Sequence, residues 1–194
     1  LVRDGAMMQS TTDTEVILHL VARARRNRFV ARFIDGLRQL EGAYAFVGLT
    51  NKKLVGARDP LGIRPPVIGK LDGCPILASE TCALDIIGAT YVRDVENGEV
   101  VVFDEDGFQS HKPFPPQQAR PCIFEYIYFS RPDSIVGGRN VYDVRKAMGA
   151  ELAREAPATA DVIVPVPDSG VPAGLGYAQQ SGIPFELGII RNHY

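Results

Sequence analysis

The chain has 194 residues, 45% of them hydrophobic and 23% charged, enough to bury one large core or two modest ones. Its formal net charge of −2 gives no basis for expecting nucleic acid or an anionic membrane as a partner. No apolar run approaches the roughly 20 residues needed to span a bilayer. In chain order, Thr12-Asp13-Thr14-Glu15 opens the first helix, with Thr12 as N-cap and Glu15 completing a capping box. Val16, Ile17, Leu20 and Val21 form its apolar stripe, with His19 packing beside it, and Arg23, Arg25, Arg26 and Arg28 crowd the end where the helix dipole favours positive charge. A second helix carries Phe29, Val30, Phe33, Ile34, Leu37 and Leu40 on one face and stops at Gly42.

From Ala43 the pattern changes to short strands at 43–49, 53–58, 66–69 and 75–78, separated by turn residues such as Leu71-Asp72-Gly73. A short helix is expected over 82–87. Strands at 91–95 and 99–103 flank Asn97-Gly98, which predicts a hairpin, and Asp106-Gly107 predicts another turn. Helices followed by a meander of strands indicate a layered α+β unit. Pro113, Pro115, Pro116 and Pro121 mark a linker. Cys122–Ser134 is an aromatic and β-branched run, in which Tyr126, Tyr128 and Phe129 read as a strand seating one domain on the other. Helix 141–155, buried strand 161–166, helix 171–180 and strand 185–190 then alternate as a parallel α/β domain does. Domain bounds of 1–113, linker 114–121 and 122–194 follow.

Cys74, Cys82 and Cys122 are odd in number, lack metal-ligand spacing, and read first as small buried hydrophobes. No secretory signal opens the chain, which predicts a cytoplasmic protein. Leu1 in place of Met, and an apolar run leading straight into Arg191-Asn192-His193-Tyr194, predict that both ends are cut. The apolar strand that ends at Pro167-Asp168-Ser169-Gly170 and opens a helix suits phosphorylated sugars or nucleotides, because free amides at a helix N-terminus favour anions.

Five segments carry a family resemblance: Ser10–Glu15, Gly42–Phe46, Arg58–Pro65, Ala78–Thr81 and Cys122–Ser134. The third and fourth are shared with other class II glutamine amidotransferases, asparagine synthetase among them. The fifth, with Pro167–Gly170 and Arg191–Tyr194, resembles the transferase half of the amidophosphoribosyltransferases, and the likeness runs through essentially the whole chain. The resemblance implies a partial N-terminal-nucleophile (αββα) glutaminase domain, α+β, followed by α/β: the start of a type I phosphoribosyltransferase domain. It implies an enzyme that moves the glutamine amide nitrogen to phosphoribosylpyrophosphate, giving 5-phosphoribosylamine, glutamate and pyrophosphate, the first committed step of purine synthesis. The alternatives are another class II amidotransferase such as asparagine synthetase, or a non-catalytic nucleotide-binding relic.

The family's cysteine nucleophile and its oxyanion hole are expected upstream of Leu1, and its paired aspartates beyond Tyr194. The chain by itself is therefore expected to be inactive, with no catalytic residue of its own. By resemblance Asp13 binds the α-ammonium of glutamine; on spacing alone it favours the first helical turn. Ser169 corresponds to a hydroxyl at the Mg²⁺–substrate complex, and a plain helix cap is the alternative. Arg191 and His193 begin the segment corresponding to the mobile substrate loop, where Arg191 suits phosphate. Cys122 aligns with a position that binds a [4Fe–4S] cluster in some members, against a structural thiol. Arg64 and Glu80 are candidates for a buried ion pair that orders the glutamine pocket, or for bracing adjoining turns, the role favoured here. The family also implies a homotetramer with purine-nucleotide feedback inhibitors.

Overall fold

The computed structural model describes residues 1–192 and 194; His193 lies outside the described residues. Contacts divide the chain into two units that interleave in sequence, one made of Leu1–Ile63 and Val95–Arg120, the other of Arg64–Asp94 and Pro121–Tyr194. The chain thus crosses between units at 63/64 and 94/95 as well as in the proline-rich stretch.

In the first unit, helices α1 (Glu15–Arg23) and α2 (Phe29–Leu37) accompany strands β1 (Ala45–Leu49), β2 (Leu54–Arg58), β6 (Val100–Asp104) and β7 (Gly107–His111). The strands form one antiparallel sheet in the order β1-β2-β6-β7. Ile17, Phe33 and Leu37 from the helices pack with Tyr44, Val55, Ala57, Val100 and Val102 in one core. Val100, Val101 and Val102 are all fully buried, which suits a central strand covered on both faces and stabilises by about 1.5–3 kcal/mol per side chain.

The second unit holds a three-stranded antiparallel sheet, β4-β3-β5, from Cys74–Ala78, Val67–Leu71 and Thr90–Asp94. Leu84 of α3 (Thr81–Ile86) closes a small core with Val67 and Ala89. The Asn97-Gly98 hairpin does not form, because β5 pairs with β3 while β6 pairs with β2 and β7. A two-residue hairpin turn of that kind needs positive φ at both centres, and among the described residues Gly98 has it but Asn97 does not. The turn that meets the requirement is Asp72-Gly73, with φ of 49° and 87°, between β3 and β4.

Cys122–Ser134 is likewise no strand. Glu125–Phe129 forms a single π-helical turn, held by Ser130 N–H donating to Glu125 O at 3.1 Å. Beyond it lie the two-residue strands β8 (Ile135–Val136) and β9 (Arg139–Asn140), then α4 (Val141–Glu155) and α5 (Gly170–Ser181). Asn140 caps α4 by accepting the Asp143 amide at 3.2 Å. The strands expected at 161–166 and 185–190 are reduced to one parallel bridge, Ile163 to Phe185. Val162, Val164, Val166, Leu187, Ile189 and Ile190 stay exposed, and a parallel ladder gains its stability from covered faces that these residues do not have among the described residues. The helices α4 and α5 meet backbone to backbone: a Cβ on Gly149 would lie 1.9 Å from the Ala173 carbonyl oxygen, and one on Gly176 would lie 1.9 Å from that of Lys146.

Candidate active-site segments

Asp13 stands exposed in the turn that precedes α1. Its Oδ1 accepts from the Thr14 hydroxyl at 3.3 Å. The capping box expected between Thr12 and Glu15 is replaced by a longer reach. The N-cap is Thr14, which makes no side-chain cap bond. The Glu15 carboxylate instead accepts from Gln9 N–H at 2.7 Å, Ser10 N–H at 2.8 Å and the Ser10 hydroxyl at 2.7 Å. His19, one helical turn on, places Nε2 at 3.3 Å from the same carboxylate.

Those donors favour the ionised form, so the Ser10 hydroxyl first and the Gln9 amide next pull the Glu15 carboxyl down to about 2. A folded value below the unfolded one means the anchoring is complete above the ordinary 4.5 and is lost as pH falls toward about 2. In an NMR titration, the Gln9 and Ser10 amide shifts should stay constant through pH 4.5 and move together only near about 2. A transition centred at 4.5 would show that the carboxylate is not held.

Ser169 is the N-cap of the twelve-residue α5 and makes no side-chain cap bond, so its half-buried hydroxyl is not committed to the helix. Asp168 precedes it, and Arg191 Nη1 approaches Asp168 Oδ2 at 3.3 Å with both side chains exposed. The structure therefore brings Arg191 to the Asp168-Ser169 turn, where a helix N-terminus and a guanidinium share one exposed loop pair. Both features attract phosphate.

Cys122 is half-buried and lies just before the π-helical turn, its carbonyl accepting from Glu125 N–H at 3.2 Å. Among the described residues no group of three or more His, Cys, Asp or Glu gathers as a metal site, so the fit to a [4Fe–4S] cluster rests on one thiol. Cys74 is exposed and Cys82 buried, with burial pushing the Cys82 thiol up.

Arg64 and Glu80 do not pair with each other. Arg64 pairs with the buried Glu125, whose Oε2 also accepts the Ser130 hydroxyl at 2.8 Å, and its guanidinium lies 4.4 Å from the centre of the Phe129 ring. Glu80 Oε2 accepts from Arg131 N–H at 2.7 Å and from the buried Ser134 hydroxyl at 2.7 Å, while Thr81 Oγ1 accepts from Ile135 N–H at 2.8 Å. Arg145, 3% exposed, donates to the carbonyls of Tyr126 and, at 2.7 Å, Ser130. Burial lowers its pKa. Sequence reasoning passed over Glu125 and Arg145; the signal for Glu125 was a lone acid inside an aromatic run, which needs a partner once buried.

Residues 1–85 match the model of the glutamine amidotransferase domain. The amidophosphoribosyltransferase of Rhizobium etli is 61% identical over 199 residues, covering all of this chain and 40% of that protein. A chloroplastic amidophosphoribosyltransferase of Arabidopsis thaliana is 51% identical, again over the whole chain and 34% of its own length. Among solved structures, the glutamine phosphoribosylpyrophosphate amidotransferase of B. subtilis complexed with ADP and GMP aligns at a TM-score of 0.94 and 43% identity, over 100% of this chain and 42% of that one. No helix among the described residues is long and apolar enough to cross a membrane. Over the stretch it spans, some 34–42% of the length of these proteins, the chain belongs to the amidophosphoribosyltransferases.

Proposed function

We propose that this chain works within an enzyme that transfers the amide nitrogen of glutamine to phosphoribosylpyrophosphate, giving 5-phosphoribosylamine, glutamate and pyrophosphate. The observation that carries this reading is the continuous match: all of the chain aligns with proteins bearing that name, at 61% identity in sequence and a TM-score of 0.94 in structure. Another class II amidotransferase, such as asparagine synthetase, gains no support from residues 86–194, which align with the same relatives.

The chain's own side chains divide the work. Asp13 offers an exposed carboxylate to the α-ammonium of glutamine, the charge-assisted bond such a group needs. Ser169 and the first amides of α5 face the phosphates, and Arg191 supplies a planar cation that leaves Asp168 for phosphate oxygen. Mg²⁺, when bound with the substrate, neutralises the pyrophosphate leaving group, and the uncommitted Ser169 hydroxyl fits as its protein contact. Cys122 is read as a packing thiol. Cytoplasmic location, a homotetramer and purine-nucleotide feedback belong to the same reading; the B. subtilis structure carries ADP and GMP, and the Arabidopsis relative is named chloroplastic.

The test is turnover by the full-length gene product supplied with Mg²⁺. Glutamate and pyrophosphate should form one for one, and only when glutamine and phosphoribosylpyrophosphate are both present. Glutamate release driven equally by ATP and aspartate would move the protein to the synthetases. Within the active protein, Ser169→Ala should raise the KM for phosphoribosylpyrophosphate about tenfold, the worth of roughly one hydrogen bond to a charged group, and leave the KM for glutamine alone. The 194-residue chain by itself should catalyse neither half-reaction.

A further inference from the structure

We infer that Glu15 is a positioning residue for the ammonium site at Asp13: its carboxylate closes residues 9–15 into a ring that presents Asp13 at its outer edge. The inference rests on the reading of Asp13 as the acceptor of glutamine's α-ammonium. Asp13 is exposed, and its carboxylate accepts from the hydroxyl of its own neighbour, Thr14. The ordinary device for fixing a helix start is missing, since the Thr14 N-cap makes no side-chain bond.

Glu15 takes over that role from inside the helix. Oε1 receives Gln9 N–H, Oε2 receives both the amide and the hydroxyl of Ser10, and the Ser10 oxygen in turn receives Thr12 N–H at 3.2 Å. On the other side of Asp13, Glu15 N–H donates to Thr12 O at 3.2 Å and Val16 N–H donates to Asp13 O at 3.1 Å. The main-chain carbonyls of Thr12 and Asp13 are thus tied to residue 15 and its neighbour Val16. The bonds to the carboxylate are short, neutral-to-charged ones, the strong kind.

A carboxylate that must catch an ammonium ion binds best when its loop is already in place. If releasing the ring leaves the competent loop a tenth populated, the apparent affinity falls tenfold. Glu15→Gln replaces one acceptor oxygen by an NH₂ group that faces amide and hydroxyl donors, which opens the ring while keeping size and helix propensity. A role in bulk stability has a different signature. It would lower the amount of folded enzyme, and with it every rate, but would not change the KM of the molecules that remain folded.

The experiment uses the full-length protein and compares wild type, Asp13→Asn, Glu15→Gln and Ser10→Ala. Each is assayed with glutamine and, separately, with ammonia supplied directly, which bypasses the glutamine site. The expected result is a glutamine KM raised about tenfold in Glu15→Gln, with kcat within about twofold of wild type and an unchanged ammonia-driven rate. Asp13→Asn should raise the same KM further. An increase in Asp13→Asn with none in Glu15→Gln overturns the positioning role and leaves the Asp13 reading standing. No change in Asp13→Asn overturns that reading, and the inference with it. If Glu15→Gln also loses the ammonia-driven rate, Ser10→Ala decides on the same readouts, since it removes the hydroxyl's bonds to Glu15 and to Thr12 N–H while the Gln9 and Ser10 amide donors stay in place. A raised glutamine KM there supports the ring, and an unchanged one overturns it.

Discussion

Gly149→Ala and Gly176→Ala are each expected to lower the urea midpoint of the second unit sharply, by about 3 kcal/mol or more in stability. Two effects oppose each other at these positions. Alanine is the better helix former, by about 1 kcal/mol per site. Against that, each new methyl would sit 1.9 Å from a carbonyl oxygen of the facing helix, Ala173 for Gly149 and Lys146 for Gly176. Those oxygens belong to helix backbone and cannot rotate away, so α4 and α5 must separate along their whole contact. The clash therefore wins. Gly170 at the start of α5 is the control: a Cβ there meets nothing within 4 Å, and Gly170→Ala should be neutral or slightly stabilising. A midpoint for Gly149→Ala at or above wild type would refute the close approach.

Glu80→Ala is expected to cost about 2–3 kcal/mol and to release the turn at 130–135 from the segment that carries α3. The carboxylate oxygen that receives Arg131 N–H and the Ser134 hydroxyl would vanish. Ser134 is fully buried and has no water to turn to, so its hydroxyl would be stranded. Glu80→Gln keeps one acceptor and should lose less. Hydrogen exchange is the sharper readout: the amides of Arg131 and Ile135 should both gain exchange in Glu80→Ala, although Ile135 bonds Thr81 rather than Glu80. Faster exchange at Arg131 alone would mean that the two bonds act separately.

Legibility followed the range of the interaction. Val141–Glu155 is read off the chain with its true ends, and the contact that fixes its start, Asn140 accepting the Asp143 amide, is a local one. The turn at Asp106-Gly107 is local in the same way, and β6 and β7 pair across it. Asn97-Gly98 misled because the dipeptide states that the chain turns, whereas the sheets decide what each arm pairs with; β5 and β6 enter different sheets. The run around Glu125 misled for another reason: aromatic and β-branched residues without a period suit a π-turn as well as a strand. At the candidate sites, Asp13, Ser169 and Arg191 were visible in motifs. The contacts that hold their surroundings were less so, as Arg64 reaches Glu125 and Glu80 reaches residues more than 50 positions away.

The interleaving of the two units also fixes an order of events during synthesis. Strand β2 leaves the ribosome before Arg64–Asp94 and must wait for β6, made only after that whole excursion, before its second edge is paired. Residues 64–94 can form their small sheet at once from neighbouring strands, yet Glu80 meets its distant donors, Arg131 N–H and the Ser134 hydroxyl, only 51 and 54 residues later. At translation speeds of about 5–20 residues per second, that delay is on the order of 3–10 s, long compared with hairpin formation in microseconds. During it, a half-built first sheet and an unclosed polar junction are both open to solvent and to other chains. The nascent polypeptide is therefore expected to be open to holdase chaperones through this window, and slowing elongation between the codons for Glu80 and Ser134 should increase its capture by them.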